Sequence, residues 1–154
     1  MSSYIIRQPK SGKDYELYYN LRWELLRKPY HQIKGSEMDE YEEKAYHLMI
    51  IDLSNKVIGV GRLHKIENKS DESIAQIRYM GILDEYQNNG LGTKILSRLE
   101  KYAYDNNFNK IILHSRENAI NFYKKNGYEV IKKTHILYDS IQHWLMLKNN
   151  NLNK

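Results

Sequence analysis

The stretch Gln87-Asn88-Asn89-Gly90-Leu91-Gly92 has the residue types of an anion-binding loop. It lies between an apolar, strand-like segment and a segment whose apolar residues recur at helical spacing. A loop that leads into a helix directs several backbone N–H groups, and the positive end of the helix dipole, at one point. Asparagine and glycine adopt left-handed conformations at low cost, and glycine lets a diphosphate approach without meeting a Cβ. The stretch therefore predicts a seat for phosphate groups.

Two familiar phosphate loops do not match this stretch. No third glycine follows at the spacing of a dinucleotide-binding loop, and no Gly-Lys-Ser/Thr triplet is present as in a P-loop. By itself the pattern Gln-x-x-Gly-x-Gly is weak, and a plain turn between a strand and a helix is the alternative interpretation. The choice between them depends on the rest of the chain.

The composition is that of a small soluble protein. Its 154 residues fit one domain, predicted over 1–148, with a disordered tail at 149–154. The absence of cysteine excludes disulfides and cysteine metal sites, and it favours a reducing compartment. No apolar run approaches the roughly 18 residues of a membrane span, and the N-terminus turns polar too early for a secretory signal. We therefore expect a cytoplasmic protein that does not enter the membrane.

The net charge of +5 is spread along the chain. Lysines occur singly or in pairs, as at Lys124-Lys125 and Lys132-Lys133, and no basic run is interleaved with aromatic residues. This distribution argues against a primary role in nucleic-acid binding, and it leaves an anionic cofactor or simple solubility as the explanation. The spacing of His, Asp and Glu indicates no metal site, so we expect none.

Hydrophobic periodicity predicts a mixed α/β fold with a central sheet. The expected strands are 4–7, 47–53, 57–66, 74–83, 110–114, 128–133 and 143–148. The expected helices are 11–27, a short one within 35–46, one from position 91 to about 103, and one from an N-cap at Ser115 to a C-cap at Gly127. Hairpins dominate the first half. The strand–helix–strand crossover in the second half predicts a parallel pair of strands.

Two ordered signatures give the chain its resemblance to a known family. The loop at 87–92 is similar to the Arg/Gln-x-x-Gly-x-Gly/Ala phosphate loop of the GCN5-related N-acetyltransferase (GNAT) superfamily, and it follows "MGIL" at the family's spacing. "ENAINFYKKNGYEV" at 117–130 resembles the family's Asn-x-x-Ala-x-x-Phe-Tyr signature, slightly shortened because Ala119 directly follows Asn118. Because both stand in the expected strand–helix context, the chain is identified as a member, and the resemblance covers nearly all of it.

The resemblance implies the GNAT fold, with a mostly antiparallel central sheet, a splayed parallel pair of strands, and flanking helices. Acetyl-CoA is then expected between 78–83 and 110–114, with its pantetheine arm paired to the backbone of the first strand and its pyrophosphate on the loop amides. Gln87 stands where the family more often has arginine, which leaves less positive charge on the loop. The expected cofactor-binding residues are Met80, Gly81, Ile82, Gln87, Asn88, Asn89, Gly90, Leu91, Gly92, Thr93, Asn118 and Tyr123.

The resemblance also implies direct transfer of the acetyl group to a primary amine. Tyr123 matches the residue that usually protonates the departing thiolate, and a core tyrosine is the alternative. Asn118 matches a position that often hydrogen-bonds the cofactor arm, and a residue that only supports the start of its helix is the alternative. A general base is needed to deprotonate the amine. His47, His64, His114 and His143 occupy strand positions, and histidine titrates near neutral pH. His143, which matches a late "GIPH" element of a bacterial subgroup, and His114, at the end of a cleft strand, rank first; a structural histidine is the alternative for each.

The acceptor is expected to be a small-molecule or peptide amine. An acidic stretch that includes Glu37, Asp39, Glu40, Glu42 and Glu43 could attract a cationic amine, and a solvated helix face is the alternative. Two rival functions stay open: a catalytically silent acyl-CoA-binding or sensing module, and an acetyltransferase toxin that acts on charged tRNA. Many relatives dimerise through their last strands or first helices, so a homodimer is also an open prediction.

Overall fold

A computed structural model describes residues 3–149 of the chain. Its strands and helices are β1 (Tyr4–Arg7), α1 (Gly12–Leu26), β2 (Tyr46–Asp52), β3 (Val57–Ile66), β4 (Ile74–Ile82), α2 (Leu91–Asp105), β5 (Lys110–Arg116), α3 (Ile120–Lys125), β6 (Glu129–Leu137) and β7 (Ile141–Asn149). Short 3₁₀ turns occur at Lys28–Tyr30, Asp84–Tyr86 and Glu117–Ala119. Of the predicted tail, Asn149 belongs to β7, and positions 150–154 lie outside the described residues.

The strands form a seven-stranded sheet in the order β1-β2-β3-β4-β5-β7-β6. The pairs β1/β2, β2/β3, β5/β7 and β6/β7 are antiparallel. The pair β4/β5 is parallel, with Ile74–Gln76 in register with Lys110–Ile112. A parallel pair needs a long crossover, and α2 lies within that connection. The predicted fold class, a mixed α/β protein with a mostly antiparallel sheet and one parallel pair, is confirmed.

The contacts of the described chain divide it into two compact units. The first unit comprises the residues up to His64 together with Tyr79–Leu99, and the second comprises Lys65–Arg78 together with the residues from Glu100 onward. Each unit is described by itself below. The single domain over 1–148 stays a prediction.

In the first unit, α1 packs its apolar residues on the sheet. Tyr18 and Leu21 are buried in one cluster with residues of β2 and β3, including Met49 and Val60. The helix starts where the Ser11 side chain accepts a hydrogen bond of 3.1 Å from the Asp14 N–H. An N-cap of this kind stabilises a helix by about 1 kcal/mol. The predicted helix at 11–27 is confirmed by α1.

The acidic stretch does not form the short helix that its composition suggested. Its residues lie in turns between the 3₁₀ turn at Lys28–Tyr30 and β2. The reason is local competition for the backbone, since carboxylates in this stretch accept hydrogen bonds from main-chain N–H groups. The Glu42 side chain accepts from the Asp39 N–H at 3.0 Å, and the Asp39 side chain accepts from the Tyr41 N–H at 3.0 Å.

In the second unit, the start of α3 differs from the prediction and its end agrees. Ser115 does not cap the helix: β5 continues to Arg116, and the Ser115 hydroxyl donates to the Arg116 carbonyl at 2.8 Å. The continued pairing of β5 with β7, which includes Arg116 opposite His143, keeps these residues in the strand. Gly127 follows α3 with a φ of 94°, the left-handed conformation expected after a helix end.

Candidate functional site

The predicted phosphate seat is a loop that leads directly into α2, in the first unit. We call Gln87–Thr93 the Asn/Gly loop. Asn88 and Gly90 have φ values of 65° and 75°, so both adopt the left-handed conformation that the composition predicts. A Cβ built on Gly90 would meet no atom within 4 Å, which leaves the space in front of the loop open. The Gly90 carbonyl accepts from the Lys94 N–H at 3.1 Å, so the helix begins directly after it.

The Asn/Gly loop presents a run of backbone donors. Within the described residues, none of the N–H groups from Asn88 to Thr93 donates to a carbonyl or a side chain. The first N–H groups of a helix have no intrahelical partner, and the helix dipole places partial positive charge beside them. Donors and dipole together fit a diphosphate.

Two amide side chains brace the Asn/Gly loop. Gln87 Nε2 donates to the Ile82 carbonyl at 3.0 Å and to an Asp84 carboxylate oxygen at 3.2 Å. Asn89 Nδ2 donates to the Tyr86 carbonyl at 3.3 Å. The Gln87 side chain therefore links the loop to the end of β4 by hydrogen bonds. The donors that the loop can offer to an anion are its backbone N–H groups.

The end of β4 has an unusual backbone at Tyr79. Its φ is 60°, which is strained for a residue with a bulky side chain and is found most often at functional sites. The left-handed turn redirects the peptide groups that follow, those of Met80, Gly81 and Ile82. Gly81 also allows close packing, because a Cβ there would lie 3.0 Å from Leu25 of α1. No local pattern indicates this turn, since Tyr79 fits the alternation of a half-buried strand.

Three guanidinium groups lie over the Tyr79 ring. The guanidinium carbons of Arg22, Arg62 and Arg27 are 4.2, 4.9 and 5.4 Å from the ring centroid. Arginine is attracted to the face of an aromatic ring, and the attraction grows when both groups are out of water. Arg22 and Arg62 are both 0% exposed. This stacking offsets part of the strain at Tyr79 and holds the ring in place.

The buried arginines also form ion pairs with two carboxylates of the acidic stretch, those of Asp39 and Glu42. Arg62 donates to both carboxylate oxygens of Asp39, at 2.6 and 2.9 Å, and to Glu42 at 2.8 Å. Arg22 donates to Glu42 at 3.0 and 2.9 Å and to the Glu37 carbonyl at 3.0 Å. Glu37 is itself buried. The carboxylates of Asp39 and Glu42 are therefore internal partners of the arginines, whereas Glu40 and Glu43 are exposed. The stretch is not a helix face, and the charge that it presents to solvent is reduced.

Two of the four histidines considered as bases belong to this network. His47 Nδ1 lies 2.8 Å from the Tyr18 hydroxyl, and His47 Nε2 lies 2.8 Å from the Glu42 carbonyl. Burial lowers the pKa of His47. His64 Nδ1 accepts from Arg62 at 3.0 Å. Both ring nitrogens of His47 are engaged in structural hydrogen bonds, which supports the structural interpretation for this residue.

The other two histidines come together in the second unit, with a third that the sequence analysis did not single out. We call His114, His135 and His143 the histidine cluster. The rings of His135 and His143 are stacked, with centroids 4.5 Å apart and an interplanar angle of 13°. The rings of His114 and His135 are 5.4 Å apart. Regular alternation along β6 would place His135 on the face opposite Lys132, and the register shift between Lys133 and Ile136 brings it beside His143. No local pattern in the sequence indicates this shift.

His143 has the properties of a proton acceptor. Its Nδ1 lies 3.0 Å from the Ile141 carbonyl, which can only accept, so Nδ1 carries the proton and Nε2 the lone pair. Burial lowers the pKa of His143, and its neighbours His135 and Arg116 lower it further. Burial likewise lowers the pKa of His114. Both imidazoles are therefore neutral near pH 7.

Tyr123 has the properties of a proton donor. Burial in α3 raises the pKa of Tyr123 to about 12, and the charge of Arg116 opposes this rise. Its ring packs against Phe122 and Tyr128, at centroid distances of 5.0 and 5.8 Å. The phenol is protonated at neutral pH. Arg116 acts electrostatically on both Tyr123 and His143, and the sequence analysis missed it because a single arginine at a strand end carries no motif.

The remaining predicted residue, Asn118, is exposed in the 3₁₀ turn Glu117–Ala119 that precedes α3. From residue 3 to residue 149, no group of three or more histidine, aspartate or glutamate side chains is arranged to hold a metal ion. Over the same residues, no helix has the length and apolar character needed to cross a membrane.

Comparison with known sequences points to one family. Residues 15–128 match the model of the Acetyltransferase (GNAT) family. The chain is 30% identical over 112 residues to an uncharacterized N-acetyltransferase, YjcF, of Bacillus subtilis (strain 168), covering 73% of this chain and 76% of YjcF. It is 33% identical over 82 residues to N-alpha-acetyltransferase 50 of Danio rerio, covering 51% of this chain and 49% of that protein.

Solved structures share the fold. A GNAT family acetyltransferase from Elizabethkingia anophelis with acetyl-CoA bound superposes with a TM-score of 0.73 at 15% identity, covering 97% of this chain and 100% of that chain. Arabidopsis thaliana Naa50 in complex with the bisubstrate analogue CoA-Ac-MVNAL has a TM-score of 0.75 at 19% identity, with coverage of 97% and 100%. At these identities the likeness establishes the fold.

Proposed function

The chain belongs to the GNAT acetyltransferase family, and on that premise we propose that it transfers the acetyl group of acetyl-CoA to a primary amine, with the Asn/Gly loop as the seat of the pyrophosphate. The observation that carries the proposal is the run of backbone donors from Asn88 to Thr93 at the start of α2. Each hydrogen bond from such a donor to a charged phosphate oxygen contributes roughly 1.5–3 kcal/mol. The open space at Gly90 lets the phosphates approach the backbone.

The left-handed turn at Tyr79 supports a second contact with the cofactor. It redirects the peptide groups of Met80, Gly81 and Ile82, which we propose pair with the pantetheine arm as an added strand does. The buried arginines over the Tyr79 ring hold this turn before the cofactor arrives. A strained turn that is fixed in advance lowers the entropy lost on binding.

The cofactor supplies an activated acetyl thioester, and this chain's residues move the protons. We propose that His143 Nε2 accepts a proton from the amine as the amine nitrogen bonds to the acetyl carbon. Tyr123 then donates its phenolic proton to the departing sulfur. The guanidinium of Arg116 favours the phenolate that remains, which eases the transfer from a phenol whose pKa is raised. His114 is the alternative base.

The comparisons support a peptide or small-molecule amine as the acceptor class. The Naa50 structure holds a CoA-linked peptide analogue, which makes a peptide N-terminus a reasonable acceptor to test beside small amines. Glu40 and Glu43 of the acidic stretch are exposed carboxylates, which would repel the phosphates of charged tRNA. We therefore propose neither the toxin nor the silent module.

Replacing Gly90 by valine is expected to abolish acetyl-CoA binding while the fold survives. Valine disfavours a φ of 75°, so the loop backbone must turn and its N–H groups no longer converge. Losing two or more hydrogen bonds to the pyrophosphate is expected to weaken binding at least about hundredfold. Isothermal titration calorimetry with acetyl-CoA measures this change.

Gly35→Val is the matched control. Gly35 also has a left-handed φ, 105°, and open space at its Cβ position, but it lies outside the Asn/Gly loop. This variant is expected to carry a similar backbone strain and to keep the affinity for acetyl-CoA. Equal affinities of the folded Gly90→Val protein and the Gly35→Val control would remove the loop from the cofactor site.

The pH dependence tests His143. A base works in its neutral form, and the pKa of His143 is lowered from its ordinary value of 6.5. We calculate kcat/KM from the concentration of the neutral amine, so that the titration of the acceptor does not contribute. On the acidic side of the pH–rate profile, kcat/KM is then expected to rise with pH, with its midpoint below pH 6.5. His143→Gln is expected to remove that rise and to lower the plateau roughly 10²-fold or more. A pH–rate profile with an unchanged rise in this variant would assign the base elsewhere, with His114→Gln the next variant to measure.

A further inference from the structure

One face of the sheet in the second unit carries basic side chains from four strands. We call this set the basic face; its members are Arg78, His114, Arg116, Lys132, His135 and His143. We propose that the basic face binds an oxyanion, a carboxylate or phosphate group, and that this group belongs to the acceptor amine. The second half of the proposal rests on the proposed acetyl transfer, whereas the first half does not.

The strand register brings these residues to one face. Arg116 of β5 is paired with His143 of β7, and His114 of β5 is paired with Leu145 of β7. Leu145 is also paired with Lys132 of β6. Paired residues of neighbouring strands project from the same face of a sheet. The side chains of β5, β6 and β7 in the basic face are therefore neighbours, although they are up to 29 positions apart in sequence.

Two further members are placed by direct contacts and charges. The His135 ring stacks on His143 at 4.5 Å, so it lies over the same face. Gln76 of β4 is in parallel register with Ile112 of β5. Arg78 and His114 each lie two residues further along their strands, so they project from the same face at the same level. The charge of Arg78 lowers the pKa of both His114 and His143, in agreement with this position.

The cations of the basic face disfavour the protonation of its histidines. Burial has the largest effect on the pKa of His114 and lowers it. Four neighbours lower it further through their electrostatic interaction with the ring, in decreasing order His135, His143, Arg78 and Lys132. Like charges held together disfavour one another's charged forms, and an opposite charge placed among them reverses that effect. We therefore expect an oxyanion on this face to bind beside His114 and His143, the two histidines whose pKa values the cations lower.

The hydrogen-bond donors of the basic face and their partial burial are suited to binding an oxyanion. Arginine and lysine side chains and protonated imidazoles are donors that match carboxylate and phosphate oxygens. His143 is 7% exposed and His114 is half-buried, so hydrogen bonds made there are partly withdrawn from water. One carboxylate, that of Glu129, shares this face. Its partner Leu147 lies two residues along β7 from Leu145, the partner of Lys132, which is roughly 7 Å at strand spacing, and four residues from His143, roughly 13 Å.

An oxyanion at this face would also assist the base. A negative charge beside His143 raises its pKa towards the working pH, where a general base is most effective. The same contact would hold an acceptor that carries both an amine and an acid group, such as an amino acid or a phosphorylated amine. The basic face would then select acceptors by charge.

Nuclear magnetic resonance titration of the histidine rings tests the binding site without acetyl-CoA. Ring signals are assigned with single His→Gln variants, and pKa values are measured with inorganic phosphate and with chloride at equal ionic strength. We expect phosphate to raise the pKa values of His114 and His143 by about one unit. His31, an exposed histidine in the first unit, is the internal control and is expected to shift no more in phosphate than in chloride. Equal shifts at His31 and at the histidine cluster would overturn the site.

A second arm identifies the source of the oxyanion. Lysine and cadaverine, and tyrosine and tyramine, are matched amines with and without a carboxylate. We expect the carboxylate-bearing member of at least one pair to have a KM about tenfold lower, and Lys132→Met or His135→Gln to remove the difference. If phosphate binds and neither pair shows this preference, the assignment to the acceptor is overturned. If phosphate does not bind while turnover persists, the basic face is not an oxyanion site and the proposed acetyl transfer stands.

Discussion

Replacing Tyr123 by phenylalanine is expected to lower turnover roughly 10²–10⁴-fold, with little change in acetyl-CoA affinity. The change removes one hydroxyl and keeps the ring that packs against Phe122 and Tyr128. Turnover falls because the CoA sulfur must leave as an unprotonated thiolate when no phenol is positioned to donate a proton to it. Steady-state release of CoA thiol measures turnover, and calorimetry measures affinity.

Tyr128→Phe is the control for this experiment. The ring of Tyr128 is a neighbour of Tyr123, but its hydroxyl donates to Glu100 at 2.8 Å in a buried contact that also includes Lys148. Removing this hydroxyl is expected to lower stability and to leave the turnover of the folded enzyme within a small factor. Turnover that is unchanged in Tyr123→Phe would assign the general acid to another group.

Replacing Arg62 by methionine is expected to destabilise the protein by about 3–5 kcal/mol. The change removes the partner of two carboxylates. It leaves Asp39 without its bidentate ion pair and Glu42 with one arginine in place of two. The side chains of Asp39 and Glu42 are 11% and 9% exposed, so water compensates little of the lost interaction. Denaturant unfolding followed by tryptophan fluorescence measures the change in the free energy of unfolding.

Lys101→Met is the matched control for Arg62→Met. It removes the cation of an ion pair with Asp105 whose N–O distance is 2.7 Å, but both side chains are exposed, at 70% and 59%. The expected cost is below about 1 kcal/mol, because solvent screens exposed pairs. A loss for Arg62→Met as small as that for Lys101→Met would show that the buried network does not hold the first unit together.

Patterns confined to neighbouring residues were sufficient for much of the fold. The alternation of β4 and the capped start of α1 depend on local spacing, and the structure has them where the sequence predicts. The left-handed conformations of Asn88 and Gly90 were likewise predictable, because few other residue types adopt them at low cost.

Features that depend on distant residues were not predictable. The acidic stretch has helix-forming residues, yet Asp39 binds Arg62, 23 positions away, and that ion pair outweighs local helix propensity. In the candidate site, the left-handed turn at Tyr79 depends on arginines from other elements. The place of His135 depends on the β6/β7 register. A single sequence contains no local pattern for any of these contacts.

The most direct test of the cofactor site is calorimetric titration of the wild-type protein with acetyl-CoA and with S-acetylpantetheine, which lacks the pyrophosphate and the nucleotide. If the Asn/Gly loop holds the pyrophosphate, acetyl-CoA binds saturably and at least about hundredfold more tightly than S-acetylpantetheine. Equal affinities for the two compounds, or no binding of acetyl-CoA, would contradict the assignment of Gln87–Thr93 as the phosphate seat.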